Sequence, residues 1–195
     1  MRADLSGQVA LLHGAETEVG AEVSRRLAAA GAQLASGTAH DALQRFGRLD
    51  MVANCEPLGD RSDGADSPVF QAAARLLREA AAAMRGQGSG RIVTAIGIGA
   101  NVVRRNEGAR SAAMAGIASL TRTSALELAA DGILVNAVAA GPGADAVSHI
   151  PIGRPPSAGS IANAVLFLLA PAASYVTGHV LVVDGGFSAG YVRNF

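Results

Sequence analysis

Five side chains stand out as able to do acid/base or anion chemistry: His13, Glu56, Arg110, Asp145 and His149. A carboxylate working with a histidine can act as general acid and base. An arginine keeps its charge throughout the physiological pH range, so it can hold a carboxylate or steady an enolate. His13, Glu56 and Asp145 each fall just past an apolar run that reads as a strand, and Arg110 falls just before a long helical pattern. A parallel sheet would gather them at its carboxyl edge, where open α/β folds bind ligands. The catalytic candidates are therefore Arg110, Glu56, Asp145 and His13. A second stretch, His13-Gly-Ala-Glu-Thr-Glu-Val-Gly20, is a turn bracketed by Gly14 and Gly20 with Glu16 and Glu18 inside it. Cys55, the single cysteine, reads as a small apolar filler at a strand end. One cysteine excludes an intrachain disulfide, and no metal site is expected.

The elements that must position these residues alternate short apolar runs with Ala-rich helical stretches, the pattern of a parallel α/β sheet. Strands are predicted over Gln8–His13, Ala32–Ser36, Leu49–Ala53, Arg91–Ala95, Ile133–Ala139 and Val180–Val183, six in all. The first helix carries Val19, Val23, Leu27 and Ala30 on its apolar face and stops at Gly31; a short one covers Asp41–Phe46. Pro68 opens a long helix that ends at Gly86, Ser111–Ala129 forms a second long helix, and Ser160–Leu169 a third. Many small residues on the two long helices, among them Ala72, Ala73, Ala80, Ala81, Ala112, Ala113 and Ala118, predict an oligomer built through them, with like or unlike chains.

With 195 residues, 50% of them hydrophobic and only 16% charged, the chain is predicted to form a single domain over residues 1–195 with an ordinary core. Sixteen basic residues balance 16 acidic ones, and there is no Trp. That excludes phosphate tracking and base stacking, so no nucleic-acid partner is expected. Met1 to Gly7 is polar, and the apolar run after it is too short for a signal peptide or a membrane span, which predicts a cytoplasmic protein without membrane contact. All 16 basic residues are arginine; the chain has no lysine.

Several segments resemble the short-chain dehydrogenase/reductase family in order along the chain: Leu5-Ser-Gly-Gln-Val-Ala-Leu-Leu-His-Gly14, Phe46-Gly-Arg-Leu-Asp50, Gly90-Arg-Ile-Val93, Leu126-Glu-Leu128, Ile133-Leu-Val-Asn-Ala-Val138 and Val176-Thr-Gly-His-Val-Leu-Val-Val-Asp-Gly-Gly186. The resemblance implies a Rossmann-like three-layer α/β sandwich, NAD or NADP as cofactor, and dimers or tetramers. It also implies a catalytic Ser, a Tyr with a Lys four residues later, and an assisting Asn. At those positions this chain has Gly97, Arg110 and Met114, its only tyrosines are Tyr175 and Tyr191, and no Asn falls between Asn54 and Asn101.

The cofactor loop departs too, because Glu18 stands where the family has its middle glycine. A like-charge pair about 5 Å apart at an effective dielectric near 20 costs roughly 3 kcal/mol, a hundredfold in affinity. Between Ala32 and Asp50 there is room for only one strand and a short helix, so the strand framing adenine is predicted missing, and Gly141–Arg154 is too short for the usual substrate-covering helices. These departures predict a protein that has lost dehydrogenase chemistry. It would bind no cofactor, keep Gly14, Glu18 and Gly20 as a vestigial loop, and act as a pseudo-oxidoreductase of cyclase, isomerase or lyase type on a small carbonyl-containing metabolite. Two alternatives stand beside this reading: a partner or scaffold subunit of an active enzyme, and an atypical NAD(P)-dependent oxidoreductase.

Overall fold

The computed structural model describes residues 4–59, 68–103 and 105–190. Its strands are β1 (Val9–His13), β2 (Gln33–Ala35), β3 (Met51–Asn54), β4 (Gly90–Gly97), β5 (Ile133–Ala140) and β6 (Val180–Val183). They form one wholly parallel sheet in the order β2-β1-β3-β4-β5-β6. The helices are α1 (Glu18–Ala29), α2 (Ala39–Phe46), α3 (Glu56–Gly59), α4 (Val69–Arg85), α5 (Gly108–Leu128) and α6 (Ala158–Leu169). The Rossmann-like three-layer α/β sandwich with six parallel strands is as the sequence predicts. Among the described residues no helix is long and apolar enough to cross a membrane.

Alternation along each strand sends successive side chains to opposite faces, which is why both faces can be buried at once. Ala10, Met51, Ala53, Val93 and Ala95 point to the layer where Val23 and Leu27 of α1 meet Val165, Leu168 and Leu169 of α6. Val9, Leu11, Val52 and Ile92 point the other way, to Ala39 and Ala42 of α2 and Leu76, Leu77, Ala80 and Met84 of α4. Nearer the carboxyl edge on that same side, Ile96 packs with Val69, Met114 and Ile117.

Three differences from the sequence reading bear on the site. β4 runs two residues further than predicted, to Gly97, and lies in register with β5 to the end, Gly97 opposite Ala140. α5 begins at Gly108 rather than Ser111, so Arg110 sits inside its first turn; the poor helix propensity of Gly108 hides that start. A four-residue helix, α3, follows Cys55 where no element was predicted. The alanines also divide otherwise than expected: Ala73, Ala80 and Ala118 are buried within the core. The outer groove between α4 and α5 is lined instead by Phe70, Ala74, Leu77, Ala81, Leu120 and Ser124.

Candidate functional site

β1 and β3 are neighbours whose chains leave for different parts of the molecule, so the crevice at their carboxyl ends is the topological switch point of the sheet. There Gly14 has φ +76°, and a Cβ on it would come 2.5 Å from the Glu56 backbone nitrogen. A Cβ on Gly20 would lie 1.9 Å from the Gly14 carbonyl oxygen. Both glycines are therefore required by backbone contact, whatever the loop binds. Thr17 locks the turn: its Oγ1 donates to the Gly14 carbonyl at 2.7 Å and accepts from the Gly20 amide at 3.0 Å, capping α1. Glu16 and Glu18 are exposed, Glu18 in the first turn of the helix.

Beside this loop, the buried Asn54 accepts the Glu56 amide on its Oδ1 at 3.2 Å, and Glu56 itself is exposed at the start of α3. Cys55 is fully buried, and burial pushes its thiol up to about 12. A thiol so far from ionising is no nucleophile, in keeping with the filler reading.

At the end of β4 the three positions aligned with the family's catalytic unit meet in space. The Gly97 amide donates to Met114 Sδ at 3.4 Å, and a Cβ on Gly97 would lie 3.7 Å from Arg110 Nη2. The four-residue spacing puts Arg110 and Met114 on one face of α5. Arg110 is half-buried, and among the described residues it has no hydrogen bond or ion pair. Ser111 beside it is buried with a hydroxyl that has no partner, in the seam between α5 and the turn Ile98–Ala100. Sequence reasoning missed Ser111 and the thioether acceptor of Met114; only the i+4 spacing of Arg110 and Met114 hinted at the second.

The remaining candidates are placed around this centre without joining it. His13 is half-buried at the end of β1, level with Asn54, Thr94 and Ala137 across the sheet. β4 and β5 extend three residues beyond that row, about 10 Å further out. Asp145 is exposed in the turn Ala144–His149 after β5, a strand that lies three places, about 14 Å, from β1. His149 is exposed and shares a hydrogen bond with the Ser148 hydroxyl. Among the described residues no hydrogen bond or ion pair links Arg110 to His13, Glu56 or Asp145, although Asp145 does have a partner of its own. Tyr175 is fully exposed; Tyr191 lies outside the described residues.

The short Gly141–Arg154 segment is strapped down on the turn after β6. The Ile152 amide donates to the Gly185 carbonyl at 3.2 Å, and Ile150 and Pro151 fill the space a Cβ on Gly185 or Gly186 would need. Asp184 holds that turn by accepting the Gly186 and Ser188 amides at 2.9 and 2.7 Å.

A dinucleotide is the cofactor this fold implies, and the residues present do not fit its pyrophosphate. The turn keeps the required backbone shape, but Thr17 already occupies the Gly20 amide and the Glu18 carboxylate sits in the first turn where the phosphates would lie. Among the described residues β2 is the edge of the sheet, with no strand beyond it to wall an adenine.

A parallel sheet covered by helices on both faces, with a Gly14–Gly20 turn at the β1–α1 junction and a crevice at the switch point, defines a Rossmann-like α/β protein. Within that class the chain belongs to the short-chain dehydrogenase/reductase family. A family model described as enoyl-(acyl carrier protein) reductase matches residues 69–188. A relative from Thauera aromatica, (2S)-[(R)-hydroxy(phenyl)methyl]succinyl-CoA dehydrogenase subunit BbsC, is 32% identical over 244 residues, covering 97% of this chain and 98% of that protein. That span exceeds the 195 residues here, so it bridges deletions in this chain. Cis-4-hydroxycyclohexanecarboxylate dehydrogenase of Sinomonas cyclohexanicum is 43% identical over 119 residues, 54% of this chain and 48% of its own length, so that match spans about half of it. Levodione reductase shares the fold, with a TM-score of 0.81 at 24% identity, covering 96% of this chain and all of that one.

These names overturn the expectation of a cofactor-independent pseudo-oxidoreductase with cyclase, isomerase or lyase chemistry. The curated relatives are named as dehydrogenases. That expectation went wrong by letting substitutions at a few positions outweigh a resemblance that runs along nearly the whole chain.

Proposed function

We propose that this chain is a subunit of an NAD(P)-dependent oxidoreductase acting on a secondary alcohol or its ketone. In this reading it pairs through α4 and α5 with a chain of the same fold that supplies the nicotinamide and the proton donor. The observation that carries the reading is the cluster of Gly97, Arg110 and Met114 at the end of β4 in a chain without any lysine. A guanidinium does not release its proton in proteins, so Arg110 cannot replace a tyrosine as proton donor and acceptor. The Thauera relative, similar over nearly the whole chain, is named as a subunit of a dehydrogenase. The groove between α4 and α5, about 640 Å³ with Phe70 and Leu120 on its walls, offers the surface for the partner, and Gly116 lets Phe70 lie against α5, its Cβ position being 3.1 Å from the ring.

The Gly14–Gly20 turn favours a second reading, in which this chain itself holds NAD(P). Purifying the tagged chain from its own host and assaying the complex and the separated chains for NAD(P)-linked alcohol oxidation decides between them. The subunit reading expects turnover by the complex alone and its loss on Ala74→Glu, which puts a charge in the α4–α5 groove. Turnover by the isolated chain would establish the second reading instead.

A further inference from the structure

Among the described residues three arginines are half-buried: Arg26, Arg91 and Arg110. Arg26 is tied to Glu22 and Asn163, whereas Arg91 has a buried Nε without a partner. Arg110 is half-buried at the carboxyl edge and, among the described residues, donates to nothing. Its guanidinium faces Gly97, a position with no side chain, and the Gly97 amide is already taken by Met114 Sδ, so the fork is left as the donor there. The first turn of α5 has no acidic residue after its N-cap, and it is the positive end of a 21-residue helix. In the same seam the buried Ser111 hydroxyl lacks a partner, 3.2 Å from the position a Cβ on Gly99 would take. The planar fork matches a carboxylate with two parallel hydrogen bonds.

We infer that Arg110 anchors a carboxylate-binding subsite at the end of β4, and that the ligand is an organic acid whose carboxylate lies beside Gly97. Two relatives act, by their names, on molecules bearing a carboxylate: a hydroxycyclohexanecarboxylate and a succinyl thioester, which keeps one free acid group. The inference goes beyond the subunit reading and does not depend on it, because it concerns binding by this chain alone.

Titration of the full chain with cyclohexanecarboxylate and the neutral cyclohexanemethanol, followed by ligand-observed NMR and calorimetry, tests it. The carboxylate is expected to bind roughly tenfold or more tighter than the alcohol. That preference should hold from about pH 6 to about pH 9, because guanidinium does not titrate there, and should shrink with added salt. Arg110→Gln, which keeps the length and removes the charge, is expected to erase the preference, and Arg110→Lys to keep part of it. Gly97→Ser, which places a hydroxyl near the fork, should weaken it severalfold. Equal binding of acid and alcohol, no detectable binding of the acid, or an undiminished preference in a folded Arg110→Gln variant would each overturn the inference. None of these outcomes bears on whether a partner chain supplies the cofactor.

Discussion

The two ends of the sheet hold their polar groups differently. At the amino end the buried carboxylate of Asp50, 6% exposed, accepts the Val9 amide at 2.8 Å and both arms of Arg48 at 2.9 and 2.6 Å, although Gln8 Oε1 and Arg91 Nε nearby are buried without partners. Gln87 brackets Leu49, accepting its amide at 2.9 Å and donating to its carbonyl at 2.8 Å. These bonds tie the starts of β1 and β3 to the end of α4. At the carboxyl end it is the backbone that is fixed, by Gly14, Gly20 and Gly141 in contacts a Cβ would not survive. The side chains there, Glu18, Glu56 and Arg110, are half-buried or exposed. Stability is therefore concentrated at one end and binding capacity at the other, a division expected where a rigid scaffold carries a site on its loops.

The comparison is sharpened most by Asp50→Ala. It strands the buried Val9 amide and frees Arg48, and should cost about 3 kcal/mol in urea denaturation; Asp50→Asn keeps an acceptor and should cost clearly less. Next comes Cys55, the buried thiol beneath the site. Its folded pKa is raised from 9.0 to about 12, so the folded state holds its proton where the unfolded chain has lost it. Stability from this group is complete below pH 9 and falls by on the order of 1 kcal/mol per pH unit above it, until the folded thiol ionises. Cys55→Ala should remove that alkaline slope, and a thiol reagent at pH 8 should label only unfolded protein. Smallest is Arg110→Gln, which should shift stability by no more than about 0.5 kcal/mol. A loss near that of Asp50→Ala would show that the carboxyl end is as structural as the amino end.

Much of the amino end and of the layering was legible in the sequence, because it rests on strict periodicity. Alternation in the strands and the i, i+4, i+8 pattern of Val19, Val23 and Leu27 need no knowledge of neighbours. The missing adenine-side strand was legible from length alone, since Ala32–Asp50 cannot hold it, and β2 is indeed the sheet edge. The site was legible only in part. That Gly97, Arg110 and Met114 meet follows from a family pattern, and the structure bears out the meeting. How far Asp145, beyond β5, lies from His13 on β1 depends on strand order and on how far β4 and β5 overrun their neighbours. Spacing along the chain carries no information about either. Helix α3 was hidden because Asn54-Cys-Glu-Pro57 has no periodicity over so short a run.

The most direct test of the central claim is a calorimetric titration of NADH and NADPH into this chain alone, into its Glu18→Gly variant and into the complex recovered from its host. A subunit whose partner supplies the nicotinamide predicts no binding up to millimolar concentrations for either single chain, since removing Glu18 restores neither a strand beyond β2 nor a lysine, and tight binding by the complex. Micromolar binding by the unmodified chain on its own would contradict it.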